Sequence, residues 1–566
     1  MEKIMNNRKR LEIALDLILL IAGFWVVRYW HSRHFGLYED DLTIIPSAIT
    51  MSFRGLVQFI YLFIVQFQGQ GRPLHHSFIY LFSWMGWRIA GLWGLYLIGF
   101  LITAANIGLF YWLMRRVASR PFAILAGLGY ILYAADTTQS YLTFSLGVQI
   151  SITLLLLACH SYLSNKRLLA YLLALLILLG YETPFLIFLA VPLLKGEWNR
   201  HTIKELVYHG LAVGAMLAFI YFVRLRLTGH VGVVDLGRRQ MLALALGHML
   251  QGPLVSLWSY ALRPIQVLHD LNWENALVVV LTFPVFLWFI ARLPSVTSLR
   301  WHDLWSALKN PTARRALPED LKSLGRMTLA GFVMLVMAYP LTFTVSTAAV
   351  SGRATRVHTA GVAGAAVLVA SLSLLLIYLS NGSKWRKLVN GLIALELACM
   401  AGYGFVIQRD YVNAWQYQQN FWTELQPLIP DAGDGTAILV DPAALHDTLQ
   451  IGANTWNLSR VLSQIYTFPQ GIKTVPFVSR LPDGWQKSLV GADGQFQVTD
   501  GTMFVSGSPG KFDPQQVILI QAENGRLVRR EMVTLKGQAY ALKPVASPVL
   551  PTLPHGFLYS LMIIQP

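Results

Sequence analysis

Three consecutive carboxylates, Glu39, Asp40 and Asp41, follow Tyr38 just past the first apolar run of the chain. Neighbouring acids raise one another's pKa, which brings one of them toward useful basicity near neutral pH. A carboxyl held in this way can take the proton of a hydroxyl. Its simpler role is to cap a helix, because Asp and Glu favour helix N-termini. Position argues for chemistry. Carboxylates beside a membrane-length run are costly if buried, so they face water or do work. The rest of residues 31–88 holds no other acid and is rich in Trp, Phe, Tyr and His, a composition suited to a membrane surface.

Four further groups stand in short polar segments between apolar runs. Arg353, Arg356 and His358 lie in Ser351-Gly-Arg-Ala-Thr-Arg-Val-His358, and Arg72, His75 and His76 in Gly71-Arg-Pro-Leu-His-His76. Asp136 follows Tyr133-Ala-Ala, and Glu182 sits in Gly180-Tyr-Glu-Thr-Pro184. Each has an ordinary reading: arginines near a span end snorkel to the interface, and an acid at a tight hairpin marks the turn. His75 and His76 read as a structural pair, since adjacent histidines point different ways on a helix and no second cluster has zinc-site spacing. Asp235, Asp270 and Glu274 read as solvated. The sequence holds no P-loop, GxGxxG, GxSxG or Cys-x-x-Cys. Cys159 and Cys399 lie in apolar runs and build no disulfide framework.

The elements that must hold these residues are membrane elements. Of 566 residues 55% are apolar and 13% charged, about half the usual charged fraction, and mean hydropathy is +0.49. A hydrocarbon core of about 30 Å needs roughly 20 apolar residues per helix. Eleven spans are expected: Leu11–Trp30, Ile89–Leu113, Phe122–Ala135, Gly147–Leu163, Leu168–Gly180, Pro184–Leu194, Leu206–Val223, Ala276–Ile290, Met327–Val345, Thr359–Ser380 and Leu388–Ile407. Residues 42–68 and 241–257 read as interfacial helices. With the N-terminus inside, the inner loops carry 22 Lys+Arg and the longer main outer loops 11, as positive-inside orientation requires. Trp305 is then inside and Trp415 outside. The net charge of +16 is explained by those inner loops and calls for no nucleic acid. From Arg409 onward the balance is 11 basic to 12 acidic residues, with short β-type runs, Thr436–Val440 and Gln516–Ile520, between Gly/Pro/Asp turns. The chain thus reads as a mainly α polytopic protein, 1–408 being a transmembrane domain with outer loop 31–88 and 409–566 a soluble α/β or β domain. Asn457-Leu-Ser459 matches a glycosylation sequon, a pattern too loose to use.

A carboxylate pair in the first outer loop of an eleven-span protein with an outer C-terminal domain resembles the GT-C superfamily of integral-membrane glycosyltransferases. The Arg72-Pro73 segment resembles that of bacterial relatives of the protein O-mannosyltransferases, and Glu182-Thr-Pro184 looks like their Glu-x-x-Pro element. Asp136 sits where such proteins carry a second outer acid. The resemblance implies sugar transfer from a polyprenyl-phosphate donor to a protein, glycan or lipid acceptor on the outer face of the plasma (inner) membrane. It implies an inverting attack with Asp40 or Asp41 as general base, Glu39-Asp40 being the other candidate pair. Arg353, Arg356, His358 and Arg72 would compensate the donor phosphate, while His75, His76, Asp136 and Glu182 would line the substrate site. No cofactor is expected. A divalent cation on Asp40, Asp41 and a distant carboxylate stays open, because oligosaccharyltransferases of the superfamily use one and its single-sugar transferases generally do not. Two other classes compete: a transporter or flippase of lipid-linked sugars, and a non-catalytic membrane assembly protein. A transporter calls for broken helices in matched halves and ionisable groups near mid-bilayer, whereas the ionisable residues here read as lying at span ends.

Overall fold

The computed structural model describes residues 2–196, 200–228, 238–293, 309, 318–343, 346–433, 435–445, 450–451, 458–468, 476–491, 493–498 and 510–564. Trp305, Asp235, Asn457 and most of the basic segment 291–326 lie outside them. The chain divides into two compact units, Met1–Arg33 with Met51–Arg409, and His34–Thr50 with Asp410–Pro566. Tyr38–Asp41 therefore belongs with the tail.

The chain is mainly helical. Among the described residues seven helices are long and apolar enough to cross a membrane: Pro73–Val117, Phe144–Leu163, Arg200–Leu227, Arg239–His269, Trp273–Ala291, Arg353–Ser380 and Arg386–Leu428. This is fewer than the eleven expected. Phe53–Val65, Arg120–Ile131, Arg167–Leu179 and Phe185–Leu194 are apolar but shorter; at 1.5 Å per residue, thirteen residues of α-helix cover about 20 Å of the roughly 30 Å hydrocarbon core.

In the first unit α1 is Glu2–Tyr29. Residues 31–88 then supply α2 (Asp41–Ile49, in the second unit) and α3 (Phe53–Val65). Residues 42–68 are thus two helices rather than one. α2 ends at Ile49, and Ser52 opens α3 by accepting a capping hydrogen bond from Gly55 N at 3.1 Å. α4 (Pro73–Val117) begins with Pro at its first position, where a missing N–H costs nothing. It breaks at Ala90 and Gly91, and Gly91 takes φ +59°, a conformation glycine adopts without strain. The break falls where the apolar run from Ile89 begins, so residues 73–89 form a separate arm. Phe59 of α3 stacks on Tyr80 of that arm at 4.1 Å, which leaves Phe53, Val57, Tyr61 and Val65 as an exposed apolar stripe.

α5 (Arg120–Ile131), α6 (Gln149–Leu163), α7 (Arg167–Leu179) and α8 (Arg200–Thr228) follow. α9 (Arg238–His269) absorbs the interfacial piece expected at 241–257 into a helix of 32 residues. Its hydrogen bonds go to two groups of residues. His248 and Gln251 meet Thr342 and Thr347, Ser256 meets Tyr133 and Tyr339, Tyr260 meets Gly129 O, and Arg263 meets Ala134 O and Val350 O. Some 15 residues of α9 thus run along the segments 129–134 and 339–350. α10 (Trp273–Ala291), α11 (Glu319–Met337), α12 (Val362–Ser380) and α13 (Arg386–Leu425) complete the helices up to the tail. α11 and α12 approach closely at Gly364, where an added Cβ would lie 2.4 Å from Leu335 N.

The second unit is organised on a four-stranded sheet in the order β2-β1-β5-β6. β1 (Ala437–Val440) pairs in parallel with β2 (Phe477–Arg480) and β5 (Val517–Glu523), and β6 (Arg526–Arg530) returns antiparallel beside β5. Both strand-like runs of the tail are strands, and β1, central in the sheet, is buried at every residue. Its connection to β2 carries α14 (Leu458–Ile465), tied to β2 by Ser459 Oγ, which accepts from Val478 N at 2.7 Å. Leu439, Leu519, Trp485, Phe496 and Leu535 pack into the core below. α2 rests on α14.

One buried ion cluster closes this unit. Asp431 accepts from Arg529 Nη1 at 2.5 Å and from Lys543 Nζ at 2.5 Å, with its side chain fully buried. Burial alone would raise its pKa; the Arg529 and Lys543 contacts instead hold the carboxyl well below the usual range. Asp431→Asn should cost about 3–5 kcal/mol, the penalty for leaving buried charges unmatched. A group whose folded pKa is depressed stabilises fully above its unfolded value of about 3.9 and ceases to as pH falls through the folded value. Urea unfolding of the detergent-solubilised protein, followed by proteolysis of the tail, should therefore show a wild-type advantage at pH 7 that shrinks below about pH 4.

Candidate functional site

Tyr38–Asp41 forms the entry to α2 in the second unit. Glu39 and Asp41 are buried and Asp40 is half-buried. Glu39 adopts φ +49°, a left-handed conformation uncommon for a non-glycine residue and concentrated at functional sites. The turn is fastened by Asp41 N and Leu42 N, which donate to Tyr38 O and Glu39 O at 2.9 and 3.0 Å. Asp40 occupies the N-cap position, yet its side chain makes no capping hydrogen bond and its backbone is helical rather than extended. The capping role that would make this carboxylate ordinary is therefore not the one it plays. Tyr38 braces the turn: its hydroxyl donates to Tyr411 O at 2.8 Å and accepts from Gly36 N at 2.9 Å. Burial pushes the phenol well up, and the Asp41 and Asp410 charges push further, so it stays protonated. Asp410 in turn accepts from Gln450 N and Ile451 N, each at 2.9 Å.

Arg72, His75, His76 and Glu182 come together in the first unit. Glu182 lies in the turn after α7 and Arg72 immediately precedes α4. Arg72 Nε donates to Glu182 Oε2 at 2.8 Å while Nη2 donates to Oε1, a bidentate pair. Arg224 of α8 adds a second guanidinium at 3.4 Å and also donates to Gly71 O and Leu178 O at 3.1 and 2.7 Å. Burial would raise the Glu182 pKa, but Arg72 first and Arg224 next overcome it and bring it down to about 2. Two cations on one carboxylate leave a net positive site. The Arg72 guanidinium also lies over the Tyr181 ring at 4.8 Å. His75 stands 5.5 Å from the same ring, and its buried Nδ1 has no hydrogen-bond partner among the described residues. Gly147 makes room for it, because a Cβ there would lie 2.7 Å from that nitrogen.

Asp136 and the Arg353 segment also meet in the first unit. Asp136 is fully buried; its Oδ1 accepts from Thr138 N and Oγ1 at 2.8 and 2.7 Å, and Oδ2 from Thr359 Oγ1 at 2.5 Å. Burial raises its pKa against these donors and the charge of Arg28. Arg353–Gly361 is a 3-10 helix joined to the Asp136 loop by Thr355, whose Oγ1 accepts from Thr137 N at 3.1 Å. His358 is buried, and both ring nitrogens are engaged: Nδ1 with Tyr339 Oη at 2.9 Å and Nε2 with Ala349 O at 2.9 Å. An imidazole facing a hydroxyl and a carbonyl is braced within the fold. Arg356 is half-buried and forms no hydrogen bond or ion pair among the described residues through its guanidinium. Among the described residues no group of three or more His, Cys, Asp or Glu is arranged to hold a metal ion.

The chain matches no protein-family model and no curated protein. Its site therefore stands on its own geometry. Three clusters emerge: the strained acidic turn at Glu39–Asp41, the Arg72–Glu182 ion pair with His75 and His76, and Asp136 bonded to the segment of Arg353, Arg356 and His358. Reading the sequence alone misses Arg224, Thr138, Thr355 and Thr359. Only Arg224 carries a local signal, an arginine directly after the apolar run Leu206–Val223. Glu182→Gln should strand two partly buried guanidiniums and destabilise the protein by about 3–5 kcal/mol, read as a drop in the thermal unfolding temperature in detergent. The loss should be the same at pH 5 and pH 8, because a carboxyl at about 2 is ionised at both.

Proposed function

We propose that this protein is a membrane glycosyltransferase of GT-C type that moves a sugar from a polyprenyl-phosphate donor to an acceptor hydroxyl, with Asp40 as general base. The observation that carries this reading is the acidic turn itself: three consecutive carboxylates at the entry to α2, with Glu39 held at φ +49° and Asp40 half-buried. Its neighbours Glu39 and Asp41 are buried beside it. A general base needs a carboxylate that the fold holds in a fixed orientation while solvent and substrate can still reach it. It takes the acceptor proton as the hydroxyl oxygen attacks the anomeric carbon opposite the phosphate, so the anomeric centre inverts. The sugar–phosphate bond breaks and the phosphate leaves as an anion. No acid need protonate it, but its charge must be met. Arg353 and Arg356, on one 3-10 helix, are the cations the resemblance assigns to that role. Asp136 positions that helix through Thr359. Arg72 is already committed to Glu182, so its part is to shape a positive site together with Arg224.

The proposed arrangement in the membrane keeps eleven crossings, with the N-terminus and basic loops in the cytoplasm and the C-terminal unit outside. α9 supports it despite its length. Its partners Tyr133, Ala134, Tyr339, Thr342, Thr347 and Val350 are residues this scheme assigns to the outer ends of spans or to the outer loop after Val345, and Gly129 is the one at mid-span; this supports an α9 that lies along that side rather than crossing. Single cysteines at Lys166 and Lys536, both exposed, should label from opposite sides of sealed vesicles. Labelling from one side would break the scheme.

Asp40→Asn keeps size and hydrogen bonding but removes proton acceptance. Turnover with a lipid-linked sugar donor should fall roughly 10²–10⁴-fold at unchanged thermal stability, and wild-type product should show inverted anomeric configuration by NMR. Near-normal turnover in both Asp40→Asn and Asp41→Asn would remove the catalytic reading of this turn. Arg356→Ala should weaken donor binding by about 1.5–3 kcal/mol, the worth of a charge-assisted contact, measured by donor titration.

A further inference from the structure

α13 carries a carboxylate where a membrane helix can least accommodate one. Glu396 lies at the middle of the apolar run Leu388–Ile407. It is an ionisable group of the kind the sequence reading placed only at span ends. The seven long apolar helices hold four other acids, and each of those has a partner. Glu205 takes Lys195 Nζ at 2.7 Å, Glu274 lies 3.8 Å from His31, Asp410 takes Gln450 N, and Glu424 takes Leu527 N at 3.3 Å. Glu396 alone has neither a hydrogen bond nor an ion pair among the described residues. A charged side chain at the centre of a bilayer is expensive and is retained where something matches it.

The surroundings of Glu396 say where the match comes from. Leu388, Leu392 and Leu395 are 51%, 57% and 45% exposed. With Glu396 they form one stripe about 100° wide along α13, at positions i, i+4, i+7 and i+8. Glu396 is itself half-exposed on that stripe. Gly391 borders it, and a Cβ built there would meet nothing within 4 Å, so a neighbouring backbone could approach closely. The opposite side of α13, with Ala394, Leu397 and Ala398, is buried in the chain's own packing.

We propose that the Leu388–Leu392–Leu395–Glu396 stripe of α13 is a docking surface for a membrane-spanning helix of another protein that carries a lysine or arginine at mid-bilayer depth. The occupant is set by charge complementarity. Lipid tails offer no cation at that depth, and headgroups sit some 15 Å away, half the thickness of the core. A second copy of this chain in a two-fold dimer would bring Glu396 against Glu396. A basic side chain satisfies the carboxylate and is satisfied by it, in a medium where neither finds water.

The test uses the full-length protein in phosphatidylcholine vesicles and synthetic single-span leucine peptides, with association read by energy transfer between labelled protein and labelled peptide. A peptide with one central lysine should associate at least tenfold more strongly than the all-leucine peptide. Glu396→Gln, which removes no hydrogen bond or ion pair among the described residues, should erase that preference. Glu396→Lys should transfer it to a peptide with a central glutamate. Equal association of the lysine and all-leucine peptides with wild type would overturn the proposal, as would an undiminished lysine preference in Glu396→Gln. Self-association of wild type that Glu396→Gln abolishes, without any preference for lysine, would overturn it in favour of a second copy.

Discussion

Charge taken out of water has to be met inside the protein, and in this chain that requirement decides which helix ends stand together. Glu182 ties the start of α4, the turn after α7 and the end of α8 through Arg72 and Arg224. Glu205 does the same elsewhere in the helical unit: one of its oxygens accepts from Tyr162, Arg167 and Lys195, which belong to α6, α7 and the residue after the 3-10 segment 185–194. Asp16 of α1 takes Tyr111 of α4 at 2.5 Å and Arg120 of α5 at 2.7 Å. Apolar packing is non-directional and tolerates sliding. A bidentate guanidinium–carboxylate pair does not. Such pairs add little net stability once desolvation is counted, but a wrong register would leave a buried charge unmatched at a cost of several kcal/mol.

The same requirement encloses some of these residues more completely than others. His358 and Arg356 stand two positions apart on one 3-10 helix, yet the imidazole is engaged at both nitrogens while the guanidinium has no partner among the described residues. Asp136 is enclosed by three donors. Asp40, by contrast, is the member of its acidic triplet that retains exposure. Strain at Glu39 and the Tyr38–Tyr411 hydrogen bond fix the turn that presents it.

How much of this could be read from the sequence follows the range of the interactions. The apolar runs of α6, α10 and α12 and the strands β1 and β5 announce themselves, because periodicity and turn residues are local. So does the acidic triplet. The grouping of residues 34–50 with the tail does not: it rests on Tyr38 Oη to Tyr411 O and Gln418 Nε2 to Leu37 O, contacts across more than 370 positions. The bond from Thr359 to Asp136 crosses 223 positions between two unremarkable threonine-bearing loops. Hydropathy also misjudges length. Arg120–Ile131 and Phe185–Leu194 are apolar but shorter than the roughly 20 residues of an untilted span, while α9 runs well beyond the piece 241–257 read from its sequence.

The break at Ala90–Gly91 bears on how the chain is made as well as on how it stands. Recognition of a nascent span acts on a continuous stretch of about 19 residues, and the twenty-odd apolar residues after Gly91 satisfy it without the arm before them. Arg88, packed 3.7 Å over the Trp84 ring, sits on the last turn ahead of the break and opposes transfer of that arm into hydrocarbon. The run after Gly91 is therefore long enough to meet that requirement by itself. The arm of residues 73–89 instead offers Tyr80 to Phe59. One glycine thus divides a run that hydropathy alone would direct to lipid from an arm whose aromatic side chain packs on another helix of the chain.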